Sequence, residues 1–186
     1  MNRTMSLLAA CSLPLFLAGC LSDDDDDEVV QPEPEFANVR VIHAASDAPL
    51  VNITANDAIL NNLEGVDYQV ASGRFEVETG TYDIGVTAIL PGDDAEVLQA
   101  DVTLEADTNY DVFAVGSVAD DSLMLLPVTS TETPVTAGNA QVQIVHAASA
   151  APTVDIYVTA PDAALADEQP LVTAEFTDAT DLVQVP

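Results

Sequence analysis

The sequence has no lysine, and its only arginines are Arg3, Arg40 and Arg74, against 32 Asp and Glu residues. Nucleic-acid phosphates and anionic lipid head groups are bound mainly through Lys and Arg. The shortage of basic residues therefore excludes nucleic acid as a partner and excludes electrostatic docking on an anionic membrane. We interpret the acidity as halophilic adaptation, because salt screens the repulsion between carboxylates; weak binding of divalent cations is the alternative.

Cysteine is almost as scarce, since Cys11 and Cys20 are the only two. Cys11 lies in a segment that we expect to be removed, and Cys20 is expected to carry lipid. The folded part then has neither a disulfide nor thiol chemistry, although it is exported. Its stability must come from an apolar core, which a domain of about a hundred residues can supply.

No apolar run is long enough to span a bilayer; the longest covers residues 5–17. Arg3 precedes this run and Leu17-Ala18-Gly19-Cys20 follows it, which predicts a signal peptide over 1–19. The last four residues resemble a bacterial lipobox, which implies cleavage before Cys20 and a palmitate-bearing N-terminus. In Gram-negative lipoproteins, a residue other than Asp at the position of Leu21 goes with the outer membrane. An ordinary secretory signal with a chance cysteine is the alternative.

Residues 20–37 contain the lipidated Cys20 and a tether. Residues 23–28 are all acidic, and Pro32 and Pro34 follow them. Charged and Pro-rich segments are extended, so residues 21–36 could hold a domain on the order of 50 Å from the membrane. A Ca²⁺ site in the acidic run is the alternative, but the run lacks the spaced ligands and the glycine of a calcium loop.

The chain contains an internal sequence repeat. Residues 39–53 return as residues 142–156 at a constant offset of 103, with nine of the fifteen positions identical. Both copies contain His-Ala-Ala-Ser-x-Ala-Pro, which places His43 and Pro49 opposite His146 and Pro152. A repeat of this length predicts a duplicated domain.

The residue pattern over 38–129 is typical of short strands separated by turns. Apolar residues alternate with polar ones in segments such as 81–89 and 97–104, and Pro91-Gly92 is one of several turn signals. This pattern favours an all-β fold, an antiparallel sandwich of immunoglobulin-like type. Residues 130–138 have the composition of a linker, and residues 139–186 form a partial second repeat.

Two tyrosines are expected to be structural. Tyr110 starts a strand after Leu104-Glu105-Ala106, an arrangement that resembles the tyrosine corner of immunoglobulin-like domains. In that corner the hydroxyl group folds back onto upstream backbone. An ordinary amphipathic strand is the alternative. Tyr82 follows Gly80-Thr81 at the start of another strand.

The repeated motif, together with Gly80-Thr81-Tyr82 and the strand over 110–116, is similar to the family known as domain of unknown function 4397. Its members are exported bacterial repeats that often occur in lipoproteins. The resemblance covers about 38–129 in full and 140–186 in part. It implies a β-sandwich and no established activity.

His43 and His146 are the only histidines, and each has a serine three residues later. A hydrolytic triad also needs an orienting acid, but Asp47 is replaced by Ala150 in the second copy. One His per repeat with no Cys is too few ligands for zinc. We therefore predict no catalytic residue, no metal site and no cofactor; each imidazole is expected to bond to the turn that follows it. The acidic residues Asp93, Asp94 and Glu96 and the pair Asp120-Asp121 are expected to lie at the tips of turns.

These features predict a lipid-anchored protein of the cell envelope that serves as a non-enzymatic binding, adhesion or structural module. Its ligand would be an envelope polysaccharide or protein. The alternative is a hydrolase that acts on envelope polysaccharide or peptide. A pocket joining His43 to two carboxylates would favour the hydrolase, and a sandwich without a pocket would favour the module.

The second repeat is expected not to fold alone. Residues 182–186 correspond to the segment that ends at Val77, so half of the first repeat has no counterpart in 139–186. A stretch of this length without a disulfide is near the lower limit for independent folding. The sequence leaves three alternatives: a fragment of a longer protein, a half domain that docks on the first sandwich or on a second molecule, or a loosely ordered segment.

Overall fold

The first strand of the protein shows how the sequence pattern becomes structure. Residues 33–60 and 62–186 are described by a computed structural model, and its first strand covers Phe36–His43. Ala37, Val39, Val41 and His43 are buried, while the residues between them are half-buried. Because successive side chains of a strand point to opposite faces, one face of this strand lies against the core.

The described residues contain twelve strands and one short 3₁₀ turn at Leu165–Asp167. In chain order the strands are β1 (Phe36–His43), β2 (Val51–Ala55), β3 (Ala58–Ile59), β4 (Phe75–Glu78), β5 (Gly80–Ala88), β6 (Ala95–Leu104), β7 (Asn109–Val115), β8 (Met124–Ser130), β9 (Ala140–Val142), β10 (Val154–Ile156), β11 (Val172–Ala174) and β12 (Val183–Val185).

Eight strands form two four-stranded sheets. One sheet has the order β4-β1-β7-β8, and the other has the order β3-β2-β5-β6. All pairs are antiparallel except β1 and β7, which run parallel with Arg40 opposite Asp111. Between β1 and β7 the chain forms all four strands of the second sheet. This long connection allows β1 and β7 to be parallel neighbours, which a short turn could not join.

The two sheets face each other across one apolar core. Buried residues of β1 and β7 meet buried residues of β2, β5 and β6, among them Val41, Val112, Ile53 and Val102. Each such side chain contributes about 1.5–3 kcal/mol through removal from water. The all-β class and the sandwich predicted from the sequence are confirmed.

The loop between β3 and β4 was not predicted to join the core, yet Leu63 and Val66 are buried in it. The backbone of Val66 exchanges two hydrogen bonds with Val51, and Leu63 O accepts one from Ile53 N–H. These bonds hold the loop along β2, where its two apolar side chains cover one end of the core.

Residues 139–186 form two small antiparallel pairs, β9 with β12 and β10 with β11. β9 ends at Val142, and Ile144 and Val145 are only half-buried. Among the described residues, β9 pairs on one edge only, whereas β1 pairs on both edges. The missing neighbour explains the shorter strand and the partial burial.

No helix in the described part of the chain is long and apolar enough to cross a membrane.

Candidate functional site

His43 stands where β1 ends and the turn to β2 begins. Its side chain is 1% exposed. Its Nε2 lies 3.3 Å from Pro49 O, and since a carbonyl oxygen only accepts, Nε2 carries the proton and donates it. The His43 backbone also exchanges hydrogen bonds with Gln69 and Val70. We call residues 43–49, with their contacts, the first histidine corner; it joins β1, the following turn and the β3–β4 loop.

His146 occupies the same arrangement in the second histidine corner, residues 146–152. Its ring is buried, and its Nε2 lies 3.1 Å from Pro152 O. Its backbone N–H donates to Asp178 O, and its carbonyl oxygen accepts from Thr177 N–H. The two histidines therefore make the same contacts, each with the proline six residues later and with a returning loop.

The likeness of the two corners extends to the strands around them. Ser72 Oγ accepts a hydrogen bond from Val41 N–H, and Thr180 Oγ1 accepts one from Ile144 N–H. Ala37 faces Val77 across β1 and β4, as Ala140 faces Val185 across β9 and β12. Equivalent residues of the two copies are 103 positions apart up to the histidine corner and 108 positions apart in the segment that returns after it. The difference arises because the loop between these parts is five residues longer in the second copy.

The equivalence of Ser72 with Thr180 was missed in the sequence. Both are small hydroxyl residues, and each follows an alanine that forms a β-bridge with the residue directly before the histidine: Ala71 with Ile42, and Ala179 with Val145. An alignment that allowed a five-residue insertion after Ile156 would have found the pair.

The surroundings of His43 Nδ1 bear on catalysis. This atom is buried and has no hydrogen-bond partner among the described residues. The Tyr68 ring meets the imidazole edge-on, with ring centroids 6.4 Å apart. A cleft of about 390 Å³ opens beside them, and its wall includes Ser46, Gln69 and residues 147–150 but no Asp or Glu. Within the described part of the chain, no carboxylate therefore lines this cleft to orient the imidazole.

The carboxylate of Asp47 contacts the loop between β7 and β8 and not the imidazole of His43. One carboxylate oxygen accepts from Ser117 Oγ at 2.7 Å and from Ala119 N–H at 3.0 Å, and the other accepts from Val118 N–H at 3.0 Å. The backbone N–H of Ala119, the Ser117 hydroxyl and the Val118 N–H lower the pKa of Asp47 from 3.8 to about 2. Asp47 thus fastens the first histidine corner to the loop between β7 and β8.

The two tyrosines contact backbone upstream of them. Tyr110 is buried at the start of β7, and its hydroxyl oxygen accepts a hydrogen bond from Glu105 N–H at 3.0 Å. The Tyr82 hydroxyl donates to Glu78 O at 2.9 Å. The Tyr110 contact closes the β6–β7 turn.

Arg40 and Arg74 converge on one carboxylate. Arg40 donates from Nε and Nη2 to the two oxygens of Asp111, and Arg74 Nη2 donates to Asp111 Oδ1 at 2.7 Å. The Asp111 side chain is 11% exposed, whereas those of Arg40 and Arg74 are 40% and 35% exposed. Arg40 lies on β1, Asp111 lies opposite it on β7, and Arg74 directly precedes β4.

A cleft of about 480 Å³ lies over this arginine pair. One wall is the outer face of the first sheet, with Asn109 and Phe113, and the other is formed by residues of the segment 130–145. We call it the arginine cleft. This cleft was not predicted from the sequence; the available signal was a lone arginine in an otherwise apolar strand and the scarcity of arginine elsewhere.

Several sequence predictions fall outside the described residues. Cys20 and the acidic run over 23–28 are among them. Within the described ranges, no group of three or more His, Cys, Asp or Glu side chains lies close enough together to hold a metal ion.

One comparison with known proteins gives a match. A family model described as Domain of unknown function (DUF4397) matches residues 37–157 continuously. The matched stretch contains the sandwich except for Phe36 at the start of β1, the linker and the second histidine corner, and it ends just after β10. Searches of curated proteins and of solved structures found no match.

Proposed function

The chain belongs to this family, and because the family description assigns no activity, we propose a function from the residues themselves. The protein is a lipid-anchored component of the cell envelope that works by binding and catalyses no reaction. Its folded part is built from two copies of one motif, each organised around a histidine corner. Cys20 carries the lipid, and the acidic segment after it spaces the sandwich from the outer membrane.

The observation that carries the proposal is the closed interior of the sandwich. The void between the two sheets measures about 40 Å³ and is lined only by apolar residues and the ring of Tyr82. Small-molecule sites usually enclose several hundred Å³. A partner therefore meets this domain on its outer surface, which is the mode of a binding or adhesion module.

The setting of the first histidine corner also supports binding over hydrolysis. A general base needs a hydrogen bond to its nucleophile and an orienting group. His43 Nε2 is occupied by Pro49 O, and Asp47 is occupied by the β7–β8 loop. The imidazoles of both corners make the same contact with a backbone carbonyl, as expected of a structural element.

The test is to incubate the mature protein, in detergent, with purified envelope polysaccharide and with peptidoglycan fragments. We expect retention of one of these materials without any change in its chain length by mass spectrometry. The variant His43→Ala, used below its melting temperature, should retain the same material. Shortened products that disappear with His43→Ala would contradict the proposal and favour a hydrolase.

A further inference from the structure

We propose that the arginine cleft binds a carboxylate-bearing saccharide, with Arg40 and Arg74 holding its carboxylate. This inference rests on the proposed function, since it names the ligand class of the binding module. Its first support is where the positive charge lies. The described residues contain two basic side chains and more than twenty acidic ones, yet both arginines converge on Asp111.

The arginine pair has N–H donors that Asp111 does not use. One carboxylate neutralises one of two guanidinium groups, so the three side chains together keep a charge of +1. Arg74 uses one N–H on Asp111, and Arg40 uses two. Each guanidinium has five N–H donors in a planar fork that matches a carboxylate. Asp111 thus orients the two forks, and their remaining N–H groups, which make no other hydrogen bond among the described residues, can donate to a second anion.

The rest of the cleft suits a sugar ring better than a bare anion. Among the described residues, the Asn109 and Ser130 side chains make no hydrogen bond within the protein, so their polar groups can meet sugar hydroxyls. Phe113 supplies an apolar ring in the same lining. The volume of about 480 Å³ exceeds what an inorganic anion needs and falls in the range of small-molecule sites.

Glu132 is the one acidic side chain in the lining besides Asp111. It is exposed, and it forms no ion pair with Arg40 or Arg74 in the structure. Its negative charge should weaken the binding of any anion in the cleft. Removing that charge should therefore strengthen binding, a result that a purely structural arginine cluster does not predict.

The experiment is a calorimetric titration of the mature protein in detergent with trigalacturonic acid, at about 0.15 M salt. The fully methyl-esterified trimer serves as the neutral counterpart, and inorganic phosphate serves as the bare anion. We expect the acid to bind at least about tenfold more tightly than the ester, because charge-assisted hydrogen bonds are lost with esterification. We also expect it to bind more tightly than phosphate.

Three variants locate the site. Arg74→Gln should weaken binding of the acid about tenfold, and Glu132→Gln should strengthen it severalfold. Gln169→Glu makes the same change in net charge as Arg74→Gln at an exposed position outside the cleft, and it should leave binding unchanged. Arg74 is the better target than Arg40, because Asp111 keeps its paired contact with Arg40 in that variant.

Several outcomes would overturn the inference. These are the absence of binding by folded wild-type protein, equal binding of acid and ester, a phosphate affinity that matches that of the acid, or a melting temperature lowered by Arg74→Gln with unchanged affinity. Recovered trimer of unchanged length keeps the non-enzymatic function. Trimer that binds through Arg74 and is shortened would uphold the site while contradicting that function.

Discussion

His43 stabilises the sandwich by joining the end of β1 to the turn that follows it and to the more distant β3–β4 loop. Its ring bonds to Pro49 O, and its backbone bonds to the β3–β4 loop at residues 69 and 70. His43→Ala would leave Pro49 O without its partner and open a cavity beside Tyr68. We expect a loss of about 1–3 kcal/mol in the free energy of unfolding, measured by urea denaturation.

His146→Ala is the matched variant. It removes the same contact from the second histidine corner, in a segment whose apolar residues are mostly half-buried. The main unfolding transition should therefore change less than with His43→Ala. A folded His43→Ala protein that keeps its full stability and loses binding would assign the imidazole a functional role instead.

Asp47 makes the stability of the corner depend on pH. Its pKa is about 2 in the folded protein and near 3.8 when unfolded. A carboxyl group with a lowered folded pKa stabilises the fold above its unfolded pKa and ceases to do so as pH falls through its folded pKa. Asp47→Asn should lower the melting temperature at pH 7, and its difference from wild type should disappear between about pH 4 and pH 2.

Asp120→Asn is the control for this titration. It removes a carboxylate from the same β7–β8 loop, but one that accepts no hydrogen bond among the described residues. Its melting temperature should follow wild type across the same pH range. An Asp47→Asn protein with the acid profile of wild type would show that the contacts with residues 117–119 do not stabilise the fold.

At the scale of elements, the two strands that precede the histidines differ in their neighbours. β1 is paired with β4 and β7, whereas β9 is paired with β12 alone among the described strands. Backbone amides with fewer buried neighbours open more readily. We expect hydrogen exchange in β9–β12 to be at least about tenfold faster than in β1 and β7.

Limited proteolysis should follow the same division. A resistant core of about residues 38–129 is expected, with cleavage after residue 138. Residues 139–186 that remained monomeric, protease-resistant and slow to exchange after separation from the sandwich would contradict this expectation.

The strands of the sandwich could be predicted because alternation is a local signal. The segment over 97–104, for example, falls within β6. The parallel pairing of β1 with β7 could not be predicted, since nothing local marks which distant strand will lie beside β1. The burial of Leu63 and Val66 was missed for the same reason: the loop gains its place only through bonds to β2.

One part of the candidate site could likewise be predicted from the sequence, and the other part could not. The repeat in the sequence pointed to the contact between each histidine and the turn after it, because His and Pro are only six residues apart. The arginine cleft brings together Arg40 and Asp111, 71 residues apart, and Arg74 and Asp111, 37 residues apart. No spacing rule relates such residues, and only the sheet register places them together.

At the scale of the whole molecule, the main feature is the large excess of negative charge. If residues 1–19 are removed, two arginines remain against 32 acidic residues, a net charge of −30. Raising NaCl from about 0.05 M to 1 M shortens the Debye length from roughly 14 Å to 3 Å and should raise the melting temperature. Ca²⁺ at matched ionic strength should add little, and a large increase specific to Ca²⁺ would indicate a cation site.

The anchored arrangement is tested most directly by the intact mass of the protein isolated from membranes. We expect a chain that begins at Cys20 and carries diacylglycerol and a further acyl group on that residue. Cys20→Ser should yield an unprocessed chain without lipid. A mature protein from the wild-type gene with an unmodified N-terminus at any position would contradict the lipid anchor.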